Sequence, residues 1–149
     1  MKFEEALPVV PEAIKSENGF RFYQHGTSML PMLRDGKDSV LIVSAEKISP
    51  KKGEVILYRR VGGAFVLHRI IAERKDGFVT CGDNQTIPEK GVERGSILGV
   101  LGGFWRGDNF VAHDNAEYVS YVRKRIFSRR FRRFLASVKH ALKKILQRS

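Results

Sequence analysis

Short runs of β-branched and aromatic residues, separated by turn signals, constrain the fold of this chain more than any other sequence feature. Such runs are typical of strands in a sheet-rich domain. Gly62-Gly63 and Asp76-Gly77 are strong hairpin signals, because glycine adopts positive φ without strain. Arg106-Gly107-Asp108-Asn109 predicts a further hairpin. The predicted strands of this mostly β fold are residues 20–25, 39–43, 54–60, 65–72, 78–81, 97–101 and 110–112.

A helical pattern replaces the strand pattern from Glu117 onward, where apolar residues recur at steps of three and four and Arg and Lys fill the gaps. As one helix, about 32 residues would form a rod of about 48 Å. Such a rod is too long to pack wholly on a small domain, so we expect a break near Phe127-Ser128. We therefore divide the chain into an N-terminal helical or irregular segment (1–19), a β domain (20–116) and a basic amphipathic helical tail (117–149). Within the N-terminal segment we expect a weak helix over residues 3–15.

The positive charge of the chain is concentrated in this tail. Residues 118–149 contain 11 Lys and Arg and no acidic residue, which equals the whole formal net charge of +11. A basic amphipathic helix fits an anionic membrane surface. Two alternatives remain: the apolar stripe packs on the β domain, or the cations bind nucleic acid, which we rank last because no DNA-binding motif accompanies them. The candidate contact residues are Arg129, Arg130, Arg132, Arg133, Lys143 and Lys144.

Several classes of protein are disfavoured by composition. The single cysteine, Cys81, cannot form an intramolecular disulfide or supply a zinc-binding pair, so we expect no metal and no cofactor. The N-terminal segment carries acidic residues and two prolines where an export signal needs a basic start and an apolar run. The longest uncharged stretch, residues 22–33, is much shorter than the roughly 20 apolar residues of a membrane-spanning helix. These features predict a cytoplasmic location, with peripheral attachment to the inner membrane face through the tail.

Three short motifs carry the chemistry: a glycine turn followed by Ser28-Met29-Leu30-Pro31, a strand containing His68-Arg69, and the turn Gly82-Asp83-Asn84. In this order, and with a strand starting at Gly53-Glu54-Val55, they resemble the signal-peptidase and LexA-like serine peptidase superfamily. The resemblance covers residues 20–101 and implies a β-barrel of short antiparallel strands. Histidine stands where many members have lysine, so the chain resembles the Ser-His branch of endoplasmic-reticulum, archaeal and sporulation-type signal peptidases, but without a transmembrane anchor.

This resemblance implies roles for individual residues. Ser28 is the expected nucleophile, His68 the general base, and Asp83 the carboxylate that orients the imidazole. The backbone N–H of Ser28 is the expected oxyanion donor, with Thr27 as the candidate second donor. Asp108, in a second Gly-Asp-Asn turn, is the rival of Asp83.

The chemistry explains this combination of residue types. A serine hydroxyl is a poor nucleophile until a neighbouring base takes its proton, and imidazole can accept that proton and later deliver it to the leaving amine. The expected substrate is a peptide precursor or leader. The alternative function is a non-catalytic module that keeps the fold and binds a peptide or a membrane surface, with Ser28 in an ordinary turn and His68 in the core. Neither function predicts an oligomeric state.

Overall fold

The computed structural model describes residues 6–148, with the side chain of Arg130 also outside the described part. Eight strands form one antiparallel sheet, and a short helix precedes them while a long helix follows. The helices are α1 (Val10–Lys15) and α2 (Ala116–Gln147), and a 3-10 turn lies at Arg94–Ser96. The strands are β1 (Phe20–Tyr23), β2 (Ser39–Val43), β3 (Val55–Arg59), β4 (Phe65–Arg74), β5 (Gly77–Cys81), β6 (Glu89–Val92), β7 (Ile97–Arg106) and β8 (Asn109–Ala112).

The strand order is β1-β2-β7-β3-β4-β5-β6, and β8 pairs with β7. Among the described residues no pair joins β1 to β6, so the sheet is not closed in the way that the expected barrel requires. The register of β4 with β3 covers its N-terminal half, whereas the register with β5 begins at Arg69. Residues 66–68 therefore lie beyond the end of β5.

The predicted mostly β fold is confirmed, and β2 has the predicted bounds. The hairpin turn between β3 and β4 contains Gly62 and Gly63, with φ of 102° and 98°, as the Gly-Gly signal predicts. Strand β7 runs five residues beyond the prediction, because the Gly102-Gly103 pair continues the ladder toward Trp105. The prediction missed β6, whose sequence is charged and contains glycine and therefore lacks strand propensity.

Two apolar clusters pack on opposite faces of the central strands. One contains Leu57 and Leu67 together with Met29, Met32 and Leu33 from the segment between β1 and β2. The other contains Ile56, Tyr58 and Ile70 with Val66 packed against it. Because side chains alternate along a strand, His68 lies on the same face as Val66 and Ile70, which confirms the predicted periodicity of β4.

Helix α2 is continuous over its 32 residues, so the expected break near Phe127-Ser128 is wrong. Its first half packs on the sheet, where Tyr118 is buried against Phe104. Beyond Arg132 the described side chains are exposed. Helix α2 is long, but it contains too many charged residues to cross a bilayer. No other helix in the described part of the chain is both long and apolar enough to do so.

The N-terminal prediction of a weak helix over residues 3–15 is met only in part. Helix α1 begins at Val10 and has Pro11 in its first turn, where a missing backbone N–H costs little. Val10 and Ile14 are buried against the sheet. Residues 1–5 lie outside the described part of the chain.

Candidate active site

Ser28 lies in the loop between β1 and β2, and this loop is braced from several sides. The side chain of Gln24 donates to the carbonyl oxygens of His25 and Gly26 at 2.7 and 3.2 Å, and Gly26 N–H donates to Asp35 Oδ1 at 2.9 Å. Met29, immediately after the serine, is fully buried in the core. These contacts hold the backbone around Ser28 in place while its own side chain stays partly exposed.

His68 is held in β4 opposite Ile56 of β3 and is only 5% exposed. Its ring lies edge-on to Tyr58, with 6.4 Å between the ring centroids. Its Nδ1 atom is buried and has no hydrogen-bond partner among the described residues. Burial, with a smaller contribution from the positive charge of Arg60, lowers the pKa of His68 to about 4. The imidazole is therefore neutral at pH 7.

Ser28 and His68 line one open cavity of about 650 Å³. This volume is within the range of small-molecule and peptide-binding clefts, roughly 300–1,000 Å³. Strand β1 contributes Phe22 and Tyr23 to its wall, and β4 contributes Val66 and Leu67. No hydrogen bond joins the serine hydroxyl to the imidazole within the described part of the chain.

The Gly82-Asp83-Asn84 turn holds the Ser28 loop directly. Asn84 N–H donates to the Ser28 carbonyl oxygen at 2.8 Å, and Asn84 Nδ2 donates to the Thr27 carbonyl oxygen at 3.1 Å. Gly82 packs so closely that a Cβ atom there would lie 2.5 Å from the Ser28 carbonyl oxygen. Glycine is thus required by close backbone approach, and the turn fixes the position of the candidate nucleophile.

The Asp83 carboxylate binds Arg69 rather than the imidazole. Arg69 Nε and Nη2 each donate to it at 2.8 Å, and the Tyr121 hydroxyl donates to Oδ2 at 2.9 Å. Consecutive strand residues point to opposite faces, so the Arg69 side chain and the His68 ring leave β4 in opposite directions. The direct hydrogen bond to His68 that the resemblance implies is not among the contacts of the described residues.

Arg69 and Asp83 form an ion pair in which both side chains are at most 2% exposed. Arg69 Nη1 also donates to the Gly53 carbonyl oxygen at 2.7 Å and to the Tyr118 hydroxyl at 3.2 Å. Removing one partner of such a pair leaves a buried charge uncompensated, at a cost of roughly 3–5 kcal/mol. The pair therefore fastens the Gly82-Asp83-Asn84 turn to the strand that carries His68.

Helix α2 holds the other side of the same turn, a contact that no motif in the sequence predicts. Arg132 Nη1 donates to the Asp83 carbonyl oxygen at 2.8 Å, and Arg129 donates to the Gln85 and Thr86 carbonyl oxygens at 3.3 and 3.1 Å. Both arginines were predicted to contact a membrane or polyanion, but these bonds direct them inward. In sequence they belong to a uniform run of cations, so only the three-dimensional contacts separate them from their neighbours.

Of the two predicted oxyanion donors, Ser28 lines the cavity, whereas Thr27 is not among its lining residues. The Ser28 backbone N–H makes no hydrogen bond with the described residues. Thr27 is exposed, and its carbonyl oxygen is used by Leu30 N–H at 3.2 Å as well as by Asn84. A Thr27 hydroxyl role stays a prediction.

The other candidate residues lie away from this cavity or at its rim. Asp108 is exposed in the β7–β8 turn, away from the residues that line the cavity. His25 lines the rim and lies 3.6 Å from Asp35. Of the tail residues, Arg133, Lys143 and Lys144 are exposed, and the side chain of Arg130 lies outside the described residues. Residues 6–148 contain no cluster of His, Cys, Asp and Glu side chains suited to a metal.

Comparison with known proteins adds no assignment. No protein-family model matches the sequence, and no curated protein matches it significantly.

Proposed function

We propose that this chain is a serine peptidase of the signal-peptidase and LexA-like type, with Ser28 as nucleophile and His68 as general base. One observation carries the proposal: these two residues, distant in sequence, line one cavity. The interlocked motifs support it, because the Gly82-Asp83-Asn84 turn binds the serine loop on one side and Arg69 on the other. Because the resembled superfamily has a β-barrel, we also propose that the sheet of this chain corresponds to an opened form of that barrel.

In the proposed reaction, Ser28 Oγ attacks the carbonyl carbon of a peptide bond while the imidazole takes the hydroxyl proton. The C–N bond then breaks as the imidazolium returns that proton to the leaving amine, which leaves an ester on Ser28. Water, deprotonated by the same imidazole, hydrolyses the ester and restores the serine. General acid-base help of this kind contributes ~10²- to 10⁴-fold in rate.

The lowered pKa of His68 keeps the ring neutral at pH 7, so that it can accept a proton, but it also makes the imidazole a weaker base than an ordinary one. Negative charge that develops on the substrate oxygen favours the protonated ring in the transition state. Catalytic hydrogen bonds are often long until substrate binds. We therefore propose that an occupied cavity draws the Ser28 hydroxyl and the imidazole together.

Asp83 takes a positioning role in this proposal. Its carboxylate fixes Arg69, the residue after His68, and its turn fixes the Ser28 backbone. The Ser28 N–H supplies the first oxyanion donor, and the Thr27 hydroxyl is the proposed second donor. Arg129 and Arg132 support the same turn from α2.

The proposed substrate is an extended peptide segment of a precursor or leader. The cavity lies between β1, at one end of the strand order, and the part of β4 beyond the end of β5. An extended chain fits such a groove between two strands, and the mixed polar and apolar wall suits a peptide. Members of the resembled superfamily prefer small residues before the cut, and we extend that preference to this chain as part of the proposal.

A second candidate is a module that binds a peptide without cutting it. Two observations favour it: Ser28 and His68 share no hydrogen bond, and the Asp83 carboxylate is occupied by Arg69 and Tyr121. The two candidates differ in whether a bound peptide is cleaved, so one assay separates them.

The test is digestion of a peptide library by the full-length protein, read by mass spectrometry, with a serine-reactive fluorophosphonate as a second probe. Cleavage is expected to fall at least about 10³-fold in Ser28→Ala and in His68→Leu. The exposed residues Ser137 and His140 supply matched controls, since Ser137→Ala and His140→Leu should cleave like the wild type.

Three results would remove this assignment. Cleavage that persists in Ser28→Ala excludes Ser28 as nucleophile. Loss in His25→Gln with retention in His68→Leu would move the base to the cavity rim. Peptide that binds equally to wild type and Ser28→Ala and stays intact would establish the binding module.

A further inference from the structure

The C-terminal half of α2, residues 131–147, carries an exposed apolar stripe. Phe131, Phe134 and Leu142 are 63%, 64% and 54% exposed. Single exposed apolar residues are ordinary, but a contiguous row on one helix face indicates an interaction surface. The sheet packs only against the earlier part of the helix.

The stripe occupies one side of the helix and the cations occupy the other. At about 100° per residue, the apolar side chains fall within an arc of about 120° centred on Phe131. Lys139, Lys143, Arg133 and Lys144 lie at the edges of this arc and opposite it, and the segment has no acidic residue. The apolar members are Phe131, Phe134, Leu135, Val138, Leu142, Ile145 and Leu146.

We propose that residues 131–147 lie flat in the surface of an anionic lipid bilayer, with the apolar stripe toward the acyl chains. The flanking cations would then meet negatively charged headgroups, which is the arrangement of an interfacial helix. A second copy of the chain fits less well, because pairing two such helices brings like charges together. Nucleic acid fits less well because phosphates would leave the phenylalanines in water.

This inference goes beyond the proposed peptidase activity and does not depend on it. Helix α2, which would bind the bilayer surface through residues 131–147, also carries the arginines that bind the Gly82-Asp83-Asn84 turn and the residues after it. Docking would therefore hold the Ser28 cavity at a fixed height above the lipid, within reach of membrane-associated peptides.

The test is flotation of the full-length protein with vesicles of phosphatidylglycerol and phosphatidylcholine, against vesicles of phosphatidylcholine alone. Binding is expected to the anionic vesicles at about 50 mM salt and to weaken strongly at roughly 500 mM. Phe134→Ser with Leu142→Ser should weaken it about 30-fold through lost apolar burial. Lys143→Gln with Lys144→Gln should weaken it by a similar factor, about 30-fold.

Matched controls keep this test specific to the helix. Val61→Ser removes a fully exposed apolar residue in a hairpin turn, and Lys75→Gln with Lys90→Gln removes two exposed cations from the β domain. Both control proteins should float like the wild type, and circular dichroism should show that the tail variants keep their helix.

Three results would overturn the proposal. The first is no flotation with anionic vesicles at low salt. The second is tail variants that float like the wild type. The third is a protein that does not bind vesicles but binds duplex DNA, or that forms a dimer which the Phe134 and Leu142 substitutions dissociate. Peptide cleavage is measured separately without lipid, so failure here leaves the proposed function standing.

Discussion

Replacing His68 with leucine tests whether this histidine is a neutral base kept in an apolar setting at a cost in stability. The imidazole is nearly buried beside Ile56, Tyr58 and Ile70, and its Nδ1 has no partner among the described residues. Leaving a buried polar atom without a hydrogen bond costs roughly 1–3 kcal/mol. Leucine is apolar and of similar size, so at pH 7 His68→Leu should be as stable as the wild type or more stable by up to about 2 kcal/mol.

The stability difference should grow in mild acid. The pKa of His68 is about 4 in the folded chain, against about 6.5 in an unfolded one. As the pH falls from 6.5 toward 4, the imidazole of His68 becomes protonated in the unfolded chain but stays neutral in the folded chain, so the wild type loses stability. At pH 5 this loss is about 2 kcal/mol, and the leucine variant escapes it.

The assay is urea unfolding, followed by the fluorescence of the single tryptophan, Trp105, and by circular dichroism, at about pH 7.5 and about pH 5. In a thermal melt, 2 kcal/mol corresponds to roughly 4–8 °C for a chain of this size. His140→Leu is the control, because it removes an exposed histidine. If His68→Leu and His140→Leu show the same pH dependence, His68 titrates like an exposed imidazole, which would contradict a buried base with a lowered pKa.

Three further predictions concern the turn that holds Ser28. Gly82→Ala should lower peptide cleavage about 100-fold, because its Cβ would displace the Ser28 carbonyl; Gly95→Ala, with open space around it, should leave cleavage unchanged. Asp83→Asn should lower the free energy of unfolding by about 3–5 kcal/mol in urea titrations, since it leaves a buried guanidinium uncompensated. Arg129→Gln should raise the hydrogen-exchange rates of residues 82–86 measured by mass spectrometry, since two carbonyl contacts disappear.

Exposed residues of the same type provide controls for the last two predictions. Asp108→Asn changes an exposed carboxylate in the equivalent tripeptide and should change the free energy of unfolding by less than about 0.5 kcal/mol. Arg133→Gln changes an exposed arginine on the same helix and should leave the exchange rates of the turn as they are. Equal effects from Asp83→Asn and Asp108→Asn would contradict a special role for the buried pair.

Local patterns in the sequence predicted most of the sheet. The Gly62-Gly63 turn and the alternation along β4 depend on neighbouring residues, and both appear in the structure. The missed strand β6 has only one strand-favouring residue, Val92, and exists because β5 pairs with it. The expected break in α2 failed because a helix needs only part of its length packed on the domain.

Long-range contacts account for what the sequence did not predict at the site. Residue order placed Ser28, His68 and Asp83 in three family-like motifs, and the structure brings the first two to one cavity. Nothing in the sequence revealed that Asp83 binds Arg69 and Tyr121, because that depends on which face of β4 meets α2. The inward contacts of Arg129 were hidden for the same reason.

The most direct test of the Ser28 and His68 assignment is a crystal structure of the full-length protein with a peptide boronic acid whose sequence comes from the cleavage assay. Boron bonded to Ser28 Oγ, with an imidazole nitrogen of His68 within about 2.6–3.2 Å of that oxygen, is the expected result. A boronic acid bound elsewhere, or an imidazole turned away from a modified Ser28, would contradict the assignment.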